Sequence, residues 1–259
     1  MTPVVQVATR GRVRVLTMNR PAARNALSAE LISALYSALV AADTDERVSV
    51  IVLTGADPAF CAGVDLKEFA RDGKEYKARF DAEDCIRQVA LMRKPVVGAI
   101  NGATFTGGLE MALGCDLLIA SDRAVFADTH IQVGVLPGGG MTARLSRRVG
   151  SARARQLSFT GEVIDAAEAL RIGMVTEVVP HEQLLGRALE VAGSIAEVEL
   201  DLLLPLKRQY TEGDDATLAF ALDREREIAA DTAIAFEQIE QRRLAVMSRN
   251  RQHPSTSAC

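Results

Sequence analysis

The sequence predicts an α/β fold with a largely parallel, layered core. Three observations carry this: short apolar strands alternate with helical segments, turn residues stand at the joints, and the carboxy-terminal part becomes helical. Arg12 to Met18 alternates polar and apolar residues, and Val48 to Thr54 is a mostly apolar run ending at Gly55, so both read as strands. Between them Ser28 is placed to cap a helix in which Leu31, Ile32, Leu35 and Leu39 share one face. Pro95 to Ile100 reads as a strand, Leu109 to Leu113 as a helix, and Asp116 to Ala120 as a strand closed by the turn at Ser121 and Asp122. After the brief apolar segment Val175 to Val179 the pattern is helical almost to the end. Asp214 to Met247 is rich in Ala, Glu, Arg, Leu and Ile without proline or glycine, the composition of one or two long helices. The polar run from Asn250 to Cys259 reads as a frayed tail.

Composition narrows the function classes. With 259 residues, 48% of them hydrophobic and 25% charged, the chain is long enough to bury a pocket inside a core. A net charge of -4 argues against a surface built for nucleic-acid phosphates or anionic lipid. The expectation is no nucleic-acid partner and no membrane association, since no stretch supplies the roughly 20 apolar residues of a span and the amino terminus lacks a signal-peptide core. Cys61, Cys85, Cys115 and Cys259 have neither zinc-site spacing nor disulfide-scaffold density, which predicts a reducing cytoplasm and no metal. The nucleophile elbow, the P-loop, the paired C-x-x-C and the dinucleotide fingerprint are all missing from the sequence.

Chemistry concentrates between Asn101 and Ala120, where Glu110 is the only charged residue before Asp116. A carboxylate among Leu109, Met111, Ala112 and Leu113 must gain hydrogen bonds, gain a partner, or rise in pKa until it can move protons near neutrality. The alternative is a solvated helix face. Thr106, Gly107 and Gly108 open the same helix, where glycine lets backbone approach a ligand and leaves helix amides free for an anion. The loop Phe60 to Asp65 is a candidate for a second amide, although most such loops are simply turns. Of three histidines only His130 lies in a low-charge, glycine-rich region; in an extended segment Asp128 would share its side, orienting the imidazole. A histidine that merely hydrogen-bonds within the core is the other reading.

In this order, Asn25-Ala26-Leu27, the Phe60 to Asp65 loop, Asn101-Gly102, Gly107-Gly108-Leu109-Glu110, Cys115-Asp116 and Gly134 to Gly138 resemble the enoyl-CoA hydratase/isomerase, or crotonase, family. Gly161 and Ala169 to Val175 extend the match over most of the chain. The resemblance implies a spiral core of repeated strand, strand, helix units over residues 1–195 and a helical oligomerisation region with a flexible tail over 196–259. It implies a homotrimer or hexamer, an acyl-CoA substrate, and no cofactor beyond the coenzyme A that the substrate carries. By the same carry-over, the Val64 and Gly107 amides hold the thioester oxygen, Glu110 is catalytic, and Arg24, Ala26, Ala62, Asp65 and Lys67 line the coenzyme A site, with Arg24 and Lys67 facing its phosphates.

One position departs from the family pattern. Typical hydratases of this family carry two glutamates; Glu110 matches the first, and the second belongs at position 130, where this chain has histidine. Hydration of a 2-enoyl-CoA with Glu110 as base and His130 as acid is the leading expectation. Hydrolysis, decarboxylation or isomerisation of another acyl-CoA, or acyl-CoA binding without turnover, are the alternatives.

Overall fold

The computed structural model of the chain describes residues 2–214. Its elements run β1 (Val5–Arg10), β2 (Val13–Met18), α1 (Ala29–Thr44), β3 (Val50–Gly55), β4 (Ala59–Cys61), α2 (Leu66–Asp72), α3 (Lys74–Ala82), α4 (Cys85–Leu91), β5 (Val96–Ile100), β6 (Ala103–Phe105) and α5 (Gly107–Leu113). There follow β7 (Leu117–Ser121), β8 (Val125–Ala127), α6 (Met141–Val149), α7 (Ser151–Thr160), β9 (Ile164–Asp165), α8 (Ala166–Arg171), β10 (Glu177–Val179), α9 (Leu184–Ala196) and α10 (Leu200–Asp214). A compact unit spans Met1–Leu204, and a second begins at Pro205. The long helices expected between Asp214 and Met247, and the tail after them, lie outside the described residues.

Two sheets share the strands. One is six-stranded in the order β1-β2-β3-β5-β7-β10, the other four-stranded in the order β4-β6-β8-β9. Each of the pairs β3 with β4, β5 with β6, and β7 with β8 therefore sends its first strand to the large sheet and its second to the small one. Repeating that step with helices between produces the spiral. Pairing is parallel from β2 through β10 in the large sheet, and only the β1–β2 hairpin, turned at Gly11 with φ of +56°, runs antiparallel.

Strand alternation sorts the large sheet's side chains into two layers. Leu16, Met18, Ile51, Leu53, Ile100 and Leu118 enter the main core with Leu31, Ile32, Leu35 and Leu39 of α1. Val13, Val15, Val50, Val52, Val97 and Ala99 face the other way, onto Leu184, Ala188 and Ala192 of α9. Those three recur every four residues, one stripe of a helix. Both faces being covered explains why β3 is buried throughout and reads as an unbroken apolar run. The expected cap is present too, Ser28 Oγ accepting from the Leu31 amide at 3.1 Å.

Strand β1 escapes notice in the sequence because only Val5 of its six residues is buried, so it carries no amphipathic signal.

Candidate active site

Glu110 sits in the first turn of α5 and is 3% exposed, which excludes the solvated-face alternative. Its Oε1 accepts hydrogen bonds from the Gly139 amide at 2.7 Å and the Met141 amide at 3.2 Å, so two main-chain dipoles compensate the buried charge. The close approach requires glycine: a Cβ on Gly139 would stand 2.7 Å from Glu110 Oε2 and 2.8 Å from Ile86 Cγ2. Arg144 donates to the Gly139 carbonyl at 2.6 Å and steadies the peptide from its other end.

The other carboxylate oxygen, Oε2, faces His130 Nε2 at 3.6 Å, just beyond hydrogen-bond reach. His130 Nδ1 meets Asp128 Oδ1 at 2.7 Å, and the same oxygen accepts the His130 amide at 3.3 Å. The expected contact between Asp128 and His130 is therefore real, but its cause is corrected. Strand β8 ends at Ala127 and His130 is helical, with φ of -52°, so a side-chain-closed turn joins the pair rather than strand alternation. Burial alone would push the imidazole toward neutrality; the Asp128 hydrogen bond and the Glu110 carboxylate outweigh it and raise the His130 pKa from 6.5 to about 9. Asp128 is likewise buried, which by itself would raise its carboxyl pKa, yet its hydrogen bonds to His130 hold it below the usual value.

The two glycine loops converge. A Cβ on Gly107 would lie 3.8 Å from Gly63 Cα and 3.1 Å from Ile86 Cδ1, so Ile86 touches both the Gly107 turn and the Gly139 loop that grips Glu110. Val64 lies in a bridge with Leu27 in which the Leu27 amide donates to the Gly63 carbonyl at 2.8 Å and the Asp65 amide donates to the Leu27 carbonyl at 3.1 Å. That pattern leaves the Val64 amide out of the ladder, and Gly107, first residue of its helix, has no intrahelical acceptor. Among the described residues neither amide donates to a protein acceptor. Between them stands Thr106 with φ of +48°, strained for a β-branched residue, its amide bonded to the Ala127 carbonyl at 3.1 Å.

The residues matched to the coenzyme A site form a rim beside these loops. Arg24 and Lys67 are exposed, while Ala26, Ala62 and Asp65 are half-buried. The Arg24 carbonyl accepts the Ala62 amide at 3.1 Å, stitching the two walls. The Asp65 carboxylate is occupied: it caps α2 and pairs with Arg20 at 3.0 Å, and Arg20 also bonds the Ala26 carbonyl. Its side chain thus anchors the rim.

Sequence reasoning missed Arg20, the Gly139 and Met141 amides, and Tyr76, whose hydroxyl bonds the Leu27 carbonyl. The run Gly138-Gly139-Gly140 was the available signal for the amides. Among the described residues no cluster suited to a metal ion occurs, and no helix is long and apolar enough to cross a membrane.

A family model described as enoyl-CoA hydratase/isomerase matches residues 8–245. A probable enoyl-CoA hydratase of Rhizobium meliloti is 42% identical over 224 residues, 86% of each chain. The 2,3-dehydroadipyl-CoA hydratase of Escherichia coli is 36% identical over 222 residues, 86% of this chain and 87% of that one. Among solved structures, an enoyl-CoA hydratase subunit of Geobacillus kaustophilus superposes with a TM-score of 0.85 at 32% identity, covering 95% of both chains. One from Mycobacterium avium superposes at 0.73 with 47% identity, covering 88% of this chain and 98% of that one.

Proposed function

We propose, from the premise that this chain belongs to the enoyl-CoA hydratase/isomerase family, that Glu110 and His130 add water across the double bond of a 2-enoyl-CoA. The observation that carries the reading is the buried carboxylate and imidazole facing one another at 3.6 Å, one helical turn from the Gly107 amide.

Glu110 takes a proton from water while the hydroxyl bonds to the β-carbon. The double-bond electrons move toward the thioester oxygen, whose charge the Val64 and Gly107 amides receive; one such donor lowers a barrier by about 3 kcal/mol. The α-carbon of the enolate then takes its proton from His130, which is cationic at neutral pH given its raised pKa. Glu110, now protonated, returns that proton to His130 Nε2 and both groups are restored. Water's hydroxyl and one proton end on the product, so the cycle balances.

Coenzyme A enters with the substrate, and no separate cofactor is required. Arg24 and Lys67, both exposed cations on the rim, suit its phosphates. A cytoplasmic setting agrees with free thiols at Cys61, Cys85 and Cys115. A homotrimer or hexamer would cover the exposed Leu136, Phe159 and Val163.

The test is to offer purified protein a panel of 2-enoyl-CoA thioesters and follow 3-hydroxyacyl-CoA by mass spectrometry. Turnover that Glu110→Gln abolishes supports the reading; turnover indifferent to that change overturns the role of Glu110.

A further inference from the structure

Resting on the hydration reading above, we propose that Asp128 is the positioning residue for His130. Its carboxylate makes Nδ1 the donor nitrogen, so that Nε2 is the one exchanging a proton with Glu110 and substrate.

The geometry is specific. One oxygen, Asp128 Oδ1, accepts both the ring Nδ1 at 2.7 Å and the main-chain amide of the same histidine at 3.3 Å. Ring and backbone are thereby pinned to one atom, which removes the freedom of the imidazole to turn over. Asp128 is 2% exposed and His130 is 6% exposed, so water does not compete for that bond. The uncharged Ser158 of α7 favours the ionised form of the Asp128 carboxyl.

Placement comes from the small sheet. Ala127, the residue before Asp128, pairs with Phe105, and its carbonyl accepts the Thr106 amide at 3.1 Å. Thr106 directly precedes Gly107, so one stretch of sheet sets both the oxyanion turn and the point from which Asp128 departs. Ring orientation and amide position are thus coupled.

Among the described residues the ionisable groups acting on the imidazole are Asp128 on its own turn and Glu110 from α5. From the α6 side the Gly139 and Met141 amides bond Glu110 and the Arg144 guanidinium bonds the Gly139 carbonyl, while α7 contributes the uncharged Ser158. Substitution of Asp128 therefore leaves Glu110 as the sole carboxylate at the ring.

Two measurements test this. Imidazole nitrogen NMR of the wild-type protein above the titration of His130 should show the neutral ring carrying its proton on Nδ1; a proton on Nε2 overturns the proposal. This needs no turnover, so a chain that hydrates no enoyl thioester would defeat the proposed function while the tautomer still decides the role of Asp128. The second is Asp128→Asn, which keeps shape and an acceptor oxygen but removes the charge. The alkaline limb of kcat should move down by about 1 to 2 pH units with KM little changed, and activity should recover on the acid side of the new limb. An unmoved limb, or an equal loss at every pH, would mark Asp128 as structural only. Should Asp128→Asn not fold, the tautomer measured on the wild-type protein decides the proposal by itself.

Discussion

His130 and His181 each contact an aspartate, yet their ring nitrogens are spent differently. His181 gives Nδ1 to the Ser121 hydroxyl and Nε2 to Asp57, both at 3.0 Å, while its amide bonds Asp122. Ser121 is fully buried and the Asp57 side chain is 62% exposed, so the set ties the end of β7 to two loops and occupies both ring nitrogens. His130 spends one nitrogen on Asp128 and turns the other toward a second ionisable group, Glu110. A serine, histidine and aspartate in contact resemble catalytic machinery on paper. What separates the two sites is whether a ring nitrogen is left facing a second, buried carboxylate.

Substitutions can break this contrast, beginning with the largest effect. Glu110→Gln should lower kcat for enoyl thioester hydration by about 10^3 to 10^4, and His130→Ala by about 10^2 to 10^3, both read from the disappearance of the conjugated thioester chromophore. Comparable activity in His130→Ala would place His130 in the class of His181.

Gly139→Ala should cost about 10^2 in kcat, because the new Cβ falls 2.7 Å from Glu110 Oε2 and must displace the carboxylate. A crystal structure of the variant should show that displacement.

The pH profile sharpens the comparison next. The alkaline limb for hydration should lie near pH 9, where His130 loses its proton. Stability follows with a definite sign: a folded pKa of about 9 against 6.5 unfolded means the contribution is fully present below pH 6.5 and is lost as pH rises through about 9. Melting temperatures of wild type and His130→Gln should therefore converge across that window. Divergence would show that the ring is not charged in the fold.

The smallest catalytic effect belongs to His181→Ala, which should leave kcat within about twofold while costing roughly 1 to 3 kcal/mol of stability, read by thermal or urea unfolding. A large loss of turnover without loss of stability would require a functional role for His181.

Legibility along the chain followed periodicity. Strand β2 and helix α1 could be read because each buries a face with a recognisable period, and β3, β5, β7 and α5 because each is a short, nearly continuous buried run bounded by turn residues. The small-sheet strands β4, β6 and β8, three residues each, are too short to show one. Their existence matters most to function, since they bring the Gly63, Gly107 and His130 segments together.

What this sequence determined by itself was the chemical inventory and its order: one carboxylate in an apolar helix, glycines at two turns, and histidine at the position where the family pattern has glutamate. Only the tertiary structure decided which groups meet. The amides at Gly139 and Met141 reach Glu110 across about thirty residues of chain, and Asp128 reaches His130 through a turn rather than a strand. The physical reason is that hydrogen bonding and burial act through space. The same imidazole would titrate near 6.5 in an open chain and is held charged to about pH 9 between two buried carboxylates.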